Sequence, residues 1–276
     1  MNSKFVRLLT IALTVGFMTF SGQAVAKGPA YTMKDLNEQL VMATLWMQTS
    51  AEYRALCYQT FNLARMNLDA FLSDYKGTKP AAIIVDVDET VLDNSAYEAF
   101  LVGQDFGYSS ETWNQWMAAA KAIAVPGAVE FLQYAKSKGV ETFYITNRKM
   151  EGYDGTKKNM DMLNFPFVDD KHLMFRTKSS DKQERRDMVA KDYTVVLLMG
   201  DNLNDFESVF EHKSVDERFS DTDKLQAEWG KKYLVLPNPT YGEWEAADIN
   251  YNWGASPAEK DQMKKDHLLK WNFQPN

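Results

Sequence analysis

Short apolar runs alternate with helical or mixed segments along the chain from residue 81 onward. The runs occupy residues 81–85, 140–145, 195–199 and 233–236, and Glu141 and Thr142 interrupt the second. Runs of this kind are typical of strands that are covered on both faces. Because strands that alternate with helices need crossover connections, we predict an α/β fold in which helices cover both faces of a parallel sheet.

The segment before the first run has helical periodicity. Apolar side chains recur every three or four residues from Tyr53 to Tyr75, and Gly77 follows as a stop signal. We therefore predict one long helix or two joined helices over residues 33–76, with the α/β core starting at residue 80.

About fifty residues separate the first two runs, which is more than one crossover helix requires. This stretch contains Tyr97, Phe100, Phe106, Trp113 and Trp116. A helical insertion at about residues 93–124 would form a small cap over the end of the sheet. A plain helical excursion packed on the core fits the same composition equally well.

Polar residues follow each of the first three runs. They are Asp-Val-Asp-Glu-Thr at 86–90, Thr-Asn-Arg at 146–148 and Gly-Asp-Asn-Leu-Asn-Asp at 200–205. In open parallel sheets, ligands bind beyond the carboxyl ends of the strands. We therefore expect these three segments to meet at one edge of the sheet.

The acidic residues at this edge predict a metal site. Asp86 and Asp88 leave the first strand together, and Asp201 arrives from another strand. Buried carboxylates repel one another and lose solvation, and a divalent cation would relieve both costs. Oxygen donors without a His or Cys cluster favour magnesium, manganese or calcium over zinc. His172 lies between strand ends in sequence, and we expect it to be an exposed loop residue.

A carboxylate beside magnesium is a good nucleophile toward phosphorus. The transferred phosphoryl group is negatively charged, so its site needs hydrogen-bond donors and a cation. Thr146 and Asn147 offer the donors, and Lys182, at the start of the helix before the third run, offers the cation. Taken alone, Lys182 would be interpreted as a solvated surface lysine.

In order, these segments resemble the four motifs of the haloacid-dehalogenase phosphatase superfamily. The matching residues are Asp86-Val87-Asp88-Glu89-Thr90, Thr146-Asn147, Lys182 and Gly200-Asp201-Asn202-Leu203-Asn204-Asp205. Residues 46–54, 92–95, 125–128, 236–238 and 241–245 resemble the class C nonspecific acid phosphatases, some of which are outer-membrane lipoprotein 5′-nucleotidases. The similarity covers nearly all of the chain after residue 26.

The resemblance implies a Rossmann-like parallel sheet core with a smaller, mainly helical second domain. It also implies a magnesium-dependent phosphomonoesterase that works through a phosphoaspartate. By position, Asp86 would be the nucleophile and a metal ligand. Asp88 would protonate the leaving alcohol and then activate water, while its backbone carbonyl binds the metal.

The remaining motif residues receive roles by the same resemblance. Asp201 would be the third protein ligand of magnesium, with Asp205 as a supporting carboxylate. Thr146, Asn147 and Lys182 would hold the phosphoryl oxygens, and Lys182 would be counted among the catalytic residues.

Three aromatic residues, Trp113, Trp116 and Tyr241, are candidates for lining the mouth of the site. A flat leaving group would stack on them, which favours nucleoside monophosphates and aryl phosphates as substrates. The same side chains would equally suit an interface between core and cap. Two alternatives stay open: a non-catalytic surface or periplasmic ligand-binding protein on the same fold, and a phosphotransferase.

The N-terminus has the order of a secretory signal peptide. Lys4 and Arg7 precede an apolar stretch at 8–20, and Ala24-Val25-Ala26 follows. We expect residues 1–26 to be removed, with an uncleaved anchor helix as the alternative. No cysteine next to Ala26 could accept a lipid, so we expect a periplasmic or secreted enzyme with no stable membrane anchor after cleavage.

Cleavage removes two basic residues and no acidic ones, which changes the formal charge from −7 to −9. An acidic chain argues against a nucleic-acid partner. Cys57 is the single cysteine, so no internal disulfide forms, and its apolar surroundings predict a buried core residue. The sequence leaves the oligomeric state open, a homodimer included.

Overall fold

The computed structural model describes residues 30–273, so the predicted signal peptide lies outside the described residues. Within the described range, no helix combines the length and the apolar character needed to span a bilayer.

Three helices form the N-terminal segment: α1 (Met33–Asn37), α2 (Leu40–Thr49) and α3 (Ala51–Asp74). The prediction of one long helix or two joined helices gave no position for a break and did not include the separate α1. Ser50 separates α2 from α3 because its backbone is extended and its hydroxyl caps α3 by accepting the amide of Tyr53 at 3.0 Å. Cys57 is fully buried on the inner face of α3, as predicted.

The insertion follows the first strand, β1 (Ala81–Val85), and is a mixture of short elements. They are β2 (Leu92–Asp93), α4 (Ser95–Leu101), α5 (Ser110–Ala119) and β3 (Ile123–Ala124), with β2 and β3 antiparallel. The rings of Tyr97 and Trp113 pack edge to face at 4.9 Å within it. Much of the aromatic content of the insertion is therefore used in its own packing.

The rest of the chain alternates helices and strands. Its elements are α6 (Ala128–Ser137), β4 (Glu141–Lys149), α7 (Tyr153–Met162), β5 (Leu173–Arg176), α8 (Gln183–Asp192), β6 (Thr194–Gly200), α9 (Val215–Lys224), β7 (Tyr233–Val235), α10 (Glu243–Asp248) and α11 (Pro257–Asp266). The four predicted runs form strands, and β5 is a fifth strand that the sequence did not reveal.

The central sheet is parallel, with the strand order β5-β4-β1-β6-β7. Ile83 and Val85 of β1 face one core cluster, which includes the inner faces of α3 and α6. Ile84 faces the other cluster together with Val189 of α8. Helices therefore cover both faces, which confirms the predicted fold class and explains why every residue of β1 is buried.

His172 is buried, so the expectation of an exposed loop histidine is wrong. Its Nδ1 lies 2.6 Å from a carboxylate oxygen of Asp169, and its Nε2 lies 2.8 Å from a carboxylate oxygen of Glu141. The ring also packs against Phe143. These partners come from the start of β4 and from the turn before β5, and their proximity depends on the sheet pairing.

Candidate active site

The carboxyl ends of three neighbouring strands build the site. β1 lies between β4 and β6, with Val85 in register with Tyr144 on one side and Met199 on the other. Asp86 continues the ladder by donating its amide to the carbonyl of Met199 at 2.9 Å. The polar segments that follow these strands therefore come together at one edge of the sheet.

Lys182 lies inside this edge and contacts two carboxylates. Its Nζ is 2.5 Å from Oδ1 of Asp86 and 2.6 Å from Oδ1 of Asp205, and its side chain is 5% exposed. Lys182 is the N-cap of α8, so the start of this helix places the ammonium group next to the ends of β1 and β6. The interpretation of Lys182 as a solvated surface lysine is therefore wrong.

Asp86, Asp201 and Asp205 each place a carboxylate oxygen within 4.8 Å of the others. Burial raises the pKa of Asp86 to about 7, with Lys182 opposing the shift and the neighbouring carboxylates adding to it. Burial, followed by the charges of Asp205 and Asp86, also raises the pKa of Asp201 well above its usual range. One lysine does not neutralise three carboxylates, so the donor set fits a divalent cation that prefers oxygen ligands.

The Gly-Asp motif after β6 seats Asp205 in this cluster. Its Oδ2 accepts the amide of Asn202 at 3.1 Å and closes a short 3₁₀ turn over residues 203–205. A Cβ at Gly200 would lie 2.2 Å from that same Oδ2, so only glycine leaves room for the carboxylate. Asp201 is oriented separately, because its Oδ2 accepts the side-chain amide of Asn238 at 2.8 Å.

Asp88 is not among the three clustered carboxylates and contacts a second set of polar side chains. Its Oδ1 accepts from Arg148 through Nε at 2.9 Å and Nη2 at 2.7 Å, and from the amide of Asn94 at 2.9 Å. Arg148 is nearly inaccessible, with 2% of its side chain exposed. Sequence reasoning missed Arg148 and Asn94, although Arg148 directly follows the Thr-Asn motif.

A second arginine, Arg185, holds the predicted phosphoryl donors. Its Nη1 donates to the carbonyl of Thr146 at 2.5 Å, and its Nη2 donates to Oδ1 of Asn147 at 2.8 Å. Because the amide oxygen of Asn147 is engaged, its NH₂ group is the part that remains to donate to a ligand. No motif in the sequence singled out Arg185.

Glu89 is fully buried beside Asp88, with a left-handed backbone of φ 52°. Its carboxylate accepts the hydroxyl of Tyr241 and the backbone amide of Asn94, the latter at 2.7 Å. Burial, with the charges of Asp88 and Asp201, raises the pKa of Glu89 well above its usual range. Glu89 therefore links Tyr241 to the group of side chains around Asp88.

The three aromatic candidates all reach this group. The indole of Trp116 donates to Oδ1 of Asn94 at 2.9 Å, and the ring of Trp113 lies 5.5 Å from the guanidinium of Arg148. Tyr241 is tied to Glu89 through its hydroxyl. These contacts give each aromatic a place in the packing around Asp88, and their stacking with a substrate stays a prediction.

The chain is similar to known proteins over most of its length. The family model described as HAD superfamily, subfamily IIIB (acid phosphatase), matches residues 21–244. One solved structure, that of the class C acid phosphatase from Bacillus anthracis, has 40% sequence identity to this chain and a TM-score of 0.82. The match covers 86% of this chain and 99% of that chain. A tungstate-bound crystal structure of the class C enzyme from the same organism is 41% identical, with the same TM-score and coverage. The chain therefore belongs to the subfamily IIIB acid phosphatases of the haloacid-dehalogenase superfamily and is a phosphomonoesterase.

Proposed function

We propose that this acid phosphatase is magnesium-dependent and hydrolyses phosphomonoesters through a phosphoaspartate on Asp86. The observation that carries the proposal is the position of Asp86. Its carboxylate contacts Lys182 at 2.5 Å and shares the oxygen cluster with Asp201 and Asp205. A nucleophile, a cation for the phosphoryl oxygens and a set of hard metal ligands thus occupy one place.

Asp86 and Asp201 would hold the metal, and the resemblance adds the backbone carbonyl of Asp88. Asp205 would support the site through its contact with Lys182. When bound, magnesium would offset the negative charge on the phosphoryl oxygens and on the attacking carboxylate. The preference for magnesium within the class of oxygen-binding cations rests on the all-oxygen donor set.

In the first step, a carboxylate oxygen of Asp86 attacks phosphorus and the bond to the ester oxygen breaks. Asp88 gives its proton to the departing alcohol. All three contacts from Arg148 and Asn94 go to Oδ1 of Asp88, which leaves Oδ2 to carry that proton. Lys182 and the donors at 146–147 hold the phosphoryl oxygens while the charge redistributes.

In the second step, Asp88 takes a proton from water, and the oxygen of that water attacks phosphorus. The bond to Asp86 then breaks, which releases phosphate and regenerates the free carboxylate. Asp88 is therefore the acid in the first step and the base in the second. Microscopic reversibility of the two half-reactions favours one residue in both roles. The presence of the full set of reacting side chains argues for turnover rather than ligand binding alone.

The test is acid quench of the enzyme during turnover of an aryl phosphate, followed by peptide mapping. We expect one phosphoryl group on the peptide that contains Asp86, and none in Asp86→Asn. A phosphorylated residue other than Asp86 in the active wild-type enzyme would overturn the mechanism. Hydrolysis rates over a panel of nucleoside monophosphates, aryl phosphates and sugar phosphates would then rank the leaving groups.

We also propose that the chain is exported and cleaved after Ala26, to act in the periplasm or outside the cell. The support is the order of Lys4 and Arg7, the apolar stretch at 8–20 and the small residues that follow. Mass spectrometry of the mature protein tests this proposal. A chain that begins at Met1, or one that carries a lipid, would reject it.

A further inference from the structure

A basic cleft of about 460 Å³ lies between the carboxyl ends of β4 and β5. Its lining residues are Lys149, Met150, Glu151, Arg176, Thr177 and Lys178. Three of these six side chains are cations and one is an acid, so the cleft is positive on a chain whose formal charge is −7. None of the residues has a role in the reaction described above.

The position of the basic cleft relative to the reacting groups follows from the strand pairing. Lys149 is in register with Arg176, and Lys149 is two residues beyond Asn147 on β4. The pairing is irregular between Ile145 and Lys149, so four steps along β4 lie beside the two steps of β5 from Met174 to Arg176. Arg176 is likewise two residues beyond Met174 on β5.

Arg185 contacts both β4 and β5 at positions that precede the cleft residues along each strand. Its guanidinium contacts Oδ1 of Asn147 at 2.8 Å and the carbonyl of Met174 at 3.4 Å. The basic cleft therefore opens one step outward from the donors that hold the transferred phosphoryl group, on the same edge of the sheet.

The cleft also lies on the side from which the leaving group departs. Lys149 directly follows Arg148, whose Nη2 contacts Oδ1 of Asp88 at 2.7 Å, and Lys149 is in register with Arg176 on β5. Because Asp88 protonates the leaving oxygen in the proposed mechanism, a leaving group at Asp88 lies near the residues that begin the basic cleft.

The cations of the cleft are not used by the protein itself. Within residues 30–273, no carboxylate oxygen lies within 4.0 Å of the charged nitrogens of Lys149, Arg176 or Lys178, whereas Arg148 and Lys182 are both paired with aspartates. Guanidinium and ammonium groups that converge without acidic partners suit a dianionic phosphate, which Arg binds in a bidentate fashion. Three cations against Glu151 leave the cleft with a net positive charge, which attracts a dianion more strongly than a singly charged carboxylate.

We propose that the basic cleft binds a second phosphate group carried by the leaving group of the substrate. The enzyme then prefers compounds with two phosphate groups, of which the one at Asp86 is cleaved and the other is held by Arg176, Lys149 and Lys178. This inference rests on the proposed function, because it assigns the leaving group to the side of Asp88.

The test uses a matched pair of aryl phosphates. 4-(Phosphonomethyl)phenyl phosphate carries a second phosphorus group that cannot be hydrolysed, and 4-methylphenyl phosphate lacks it. We expect kcat/KM of the wild-type enzyme to be at least about tenfold higher for the phosphonate compound, an advantage that falls as salt is added. Equal kcat/KM values for the two compounds would overturn the inference while leaving the phosphatase mechanism intact.

Variants of the cleft separate its effect from general damage. Arg176→Gln and Lys149→Gln should each remove most of the advantage of the phosphonate compound, with a much smaller change on 4-methylphenyl phosphate. Lys191→Gln, at an exposed position near the end of α8, is the control and should keep the advantage. Equal losses on both compounds in both cleft variants would assign these residues to the structure instead.

Product inhibition gives a readout that does not depend on cleavage of the phosphonate compound. We expect 4-(phosphonomethyl)phenol to inhibit the wild-type enzyme at a concentration at least about tenfold below that of 4-methylphenol, and the difference to disappear in Lys149→Gln. Equal inhibition by the two phenols in the wild-type enzyme would contradict the inference. A loss of phosphoaspartate in the quench experiment would contradict the proposed function instead.

Discussion

Arg148 contacts the carboxylate of Asp88 at one oxygen only, through Nε at 2.9 Å and Nη2 at 2.7 Å to Oδ1. A guanidinium that donated to both oxygens would compete with a proton or a leaving group at each of them. Here the second oxygen is free of the arginine, so the same contact that orients Asp88 keeps its acid and base function available. Arg148 is therefore a positioning residue for Asp88.

The first prediction concerns this contact. Arg148→Lys keeps the positive charge and loses the planar fork, so Asp88 is less well oriented. We expect kcat/KM for an alkyl phosphate, which reports the first half-reaction, to fall by about ten- to a hundredfold. The loss in kcat/KM should be smaller for 4-nitrophenyl phosphate, whose leaving group needs no proton.

Arg185→Lys provides the comparison, because Arg185 contacts Thr146 and Asn147 and not Asp88. Its loss should be similar for the alkyl and the nitrophenyl substrate. If Arg148→Lys also affected both substrates equally, its role would be general packing rather than the positioning of Asp88.

The second prediction is that Asp86→Asn abolishes turnover and leaves the fold intact. An amide keeps the shape of the carboxylate but is not a nucleophile toward phosphorus, so kcat should fall by about four orders of magnitude or more. Lys182 keeps its contact with Asp205 at 2.6 Å in the variant, which preserves a partner for the buried ammonium. Circular dichroism checks the fold.

Asp216→Asn makes the same chemical change at an exposed position in the first turn of α9 and should retain full activity. Turnover near the wild-type rate in Asp86→Asn would remove Asp86 from the mechanism.

The sequence predicted the elements whose signals are local. The run at 81–85 coincides with β1, since a strand buried on both faces is apolar at every position. β5 was missed because it has four residues, Leu173–Arg176, which carry too little pattern to stand out from the turn before them. The sequence left open one helix or two joined helices before β1, and the cap geometry at Ser50 is what locates the break between α2 and α3.

The site shows the same division between local and distant information. Asp86, Asp88, Asp201 and Asp205 could be predicted as candidates because strand ends carry them in short motifs. Arg148 and Arg185 act through partners that are distant in sequence: Asp88 precedes Arg148 by 60 positions, and Arg185 contacts Asn147 across 38. Pairing of that kind depends on strand order and register, which no short motif encodes.

The third prediction concerns the metal. Excess chelator should abolish activity, and added magnesium should restore it, because the clustered donors are all carboxylate oxygens. Asp201→Ala should raise the magnesium concentration needed for half-maximal activity by at least about tenfold. Full activity of the wild-type enzyme in excess chelator would contradict the metal dependence.

The fourth prediction separates two roles of Tyr241. Tyr241→Phe keeps the ring and removes the hydroxyl that donates to Glu89. We expect kcat/KM to fall by about three- to tenfold for both a nucleoside monophosphate and glycerol phosphate, because a buried carboxylate next to Asp88 loses a partner.

Tyr241→Ala removes the ring as well. If the ring stacks on a base, the additional loss should be about one to two orders of magnitude for the nucleotide and slight for glycerol phosphate. Equal additional losses on both substrates would assign the ring to the packing around Asp88 and leave Trp113 and Trp116 as the stacking candidates.

The last prediction is a pH dependence of stability that originates far from the active site, at Glu141. Its Oε2 accepts from Lys171 at 2.7 Å, from His172 at 2.8 Å and from Tyr193 at 2.7 Å. Burial opposes the charged form, but these three hydrogen bonds outweigh it and lower the pKa of Glu141 to about 2.

Because the pKa of Glu141 is lower in the folded chain than its ordinary value of 4.5, the charged carboxylate stabilises the fold above about pH 5, and this contribution is lost as the pH falls toward 2. Glu141→Gln should therefore lower the free energy of unfolding by about 1–2 kcal/mol at pH 7. Urea unfolding at several pH values should show the gap between variant and wild type narrowing between pH 5 and pH 2. Glu130→Gln, on the exposed face of α6, should track the wild type throughout. A gap for Glu141→Gln that stays constant down to pH 2 would show that the carboxylate contributes by shape and packing, and that its charge plays no part in holding the start of β4 to the turn before β5.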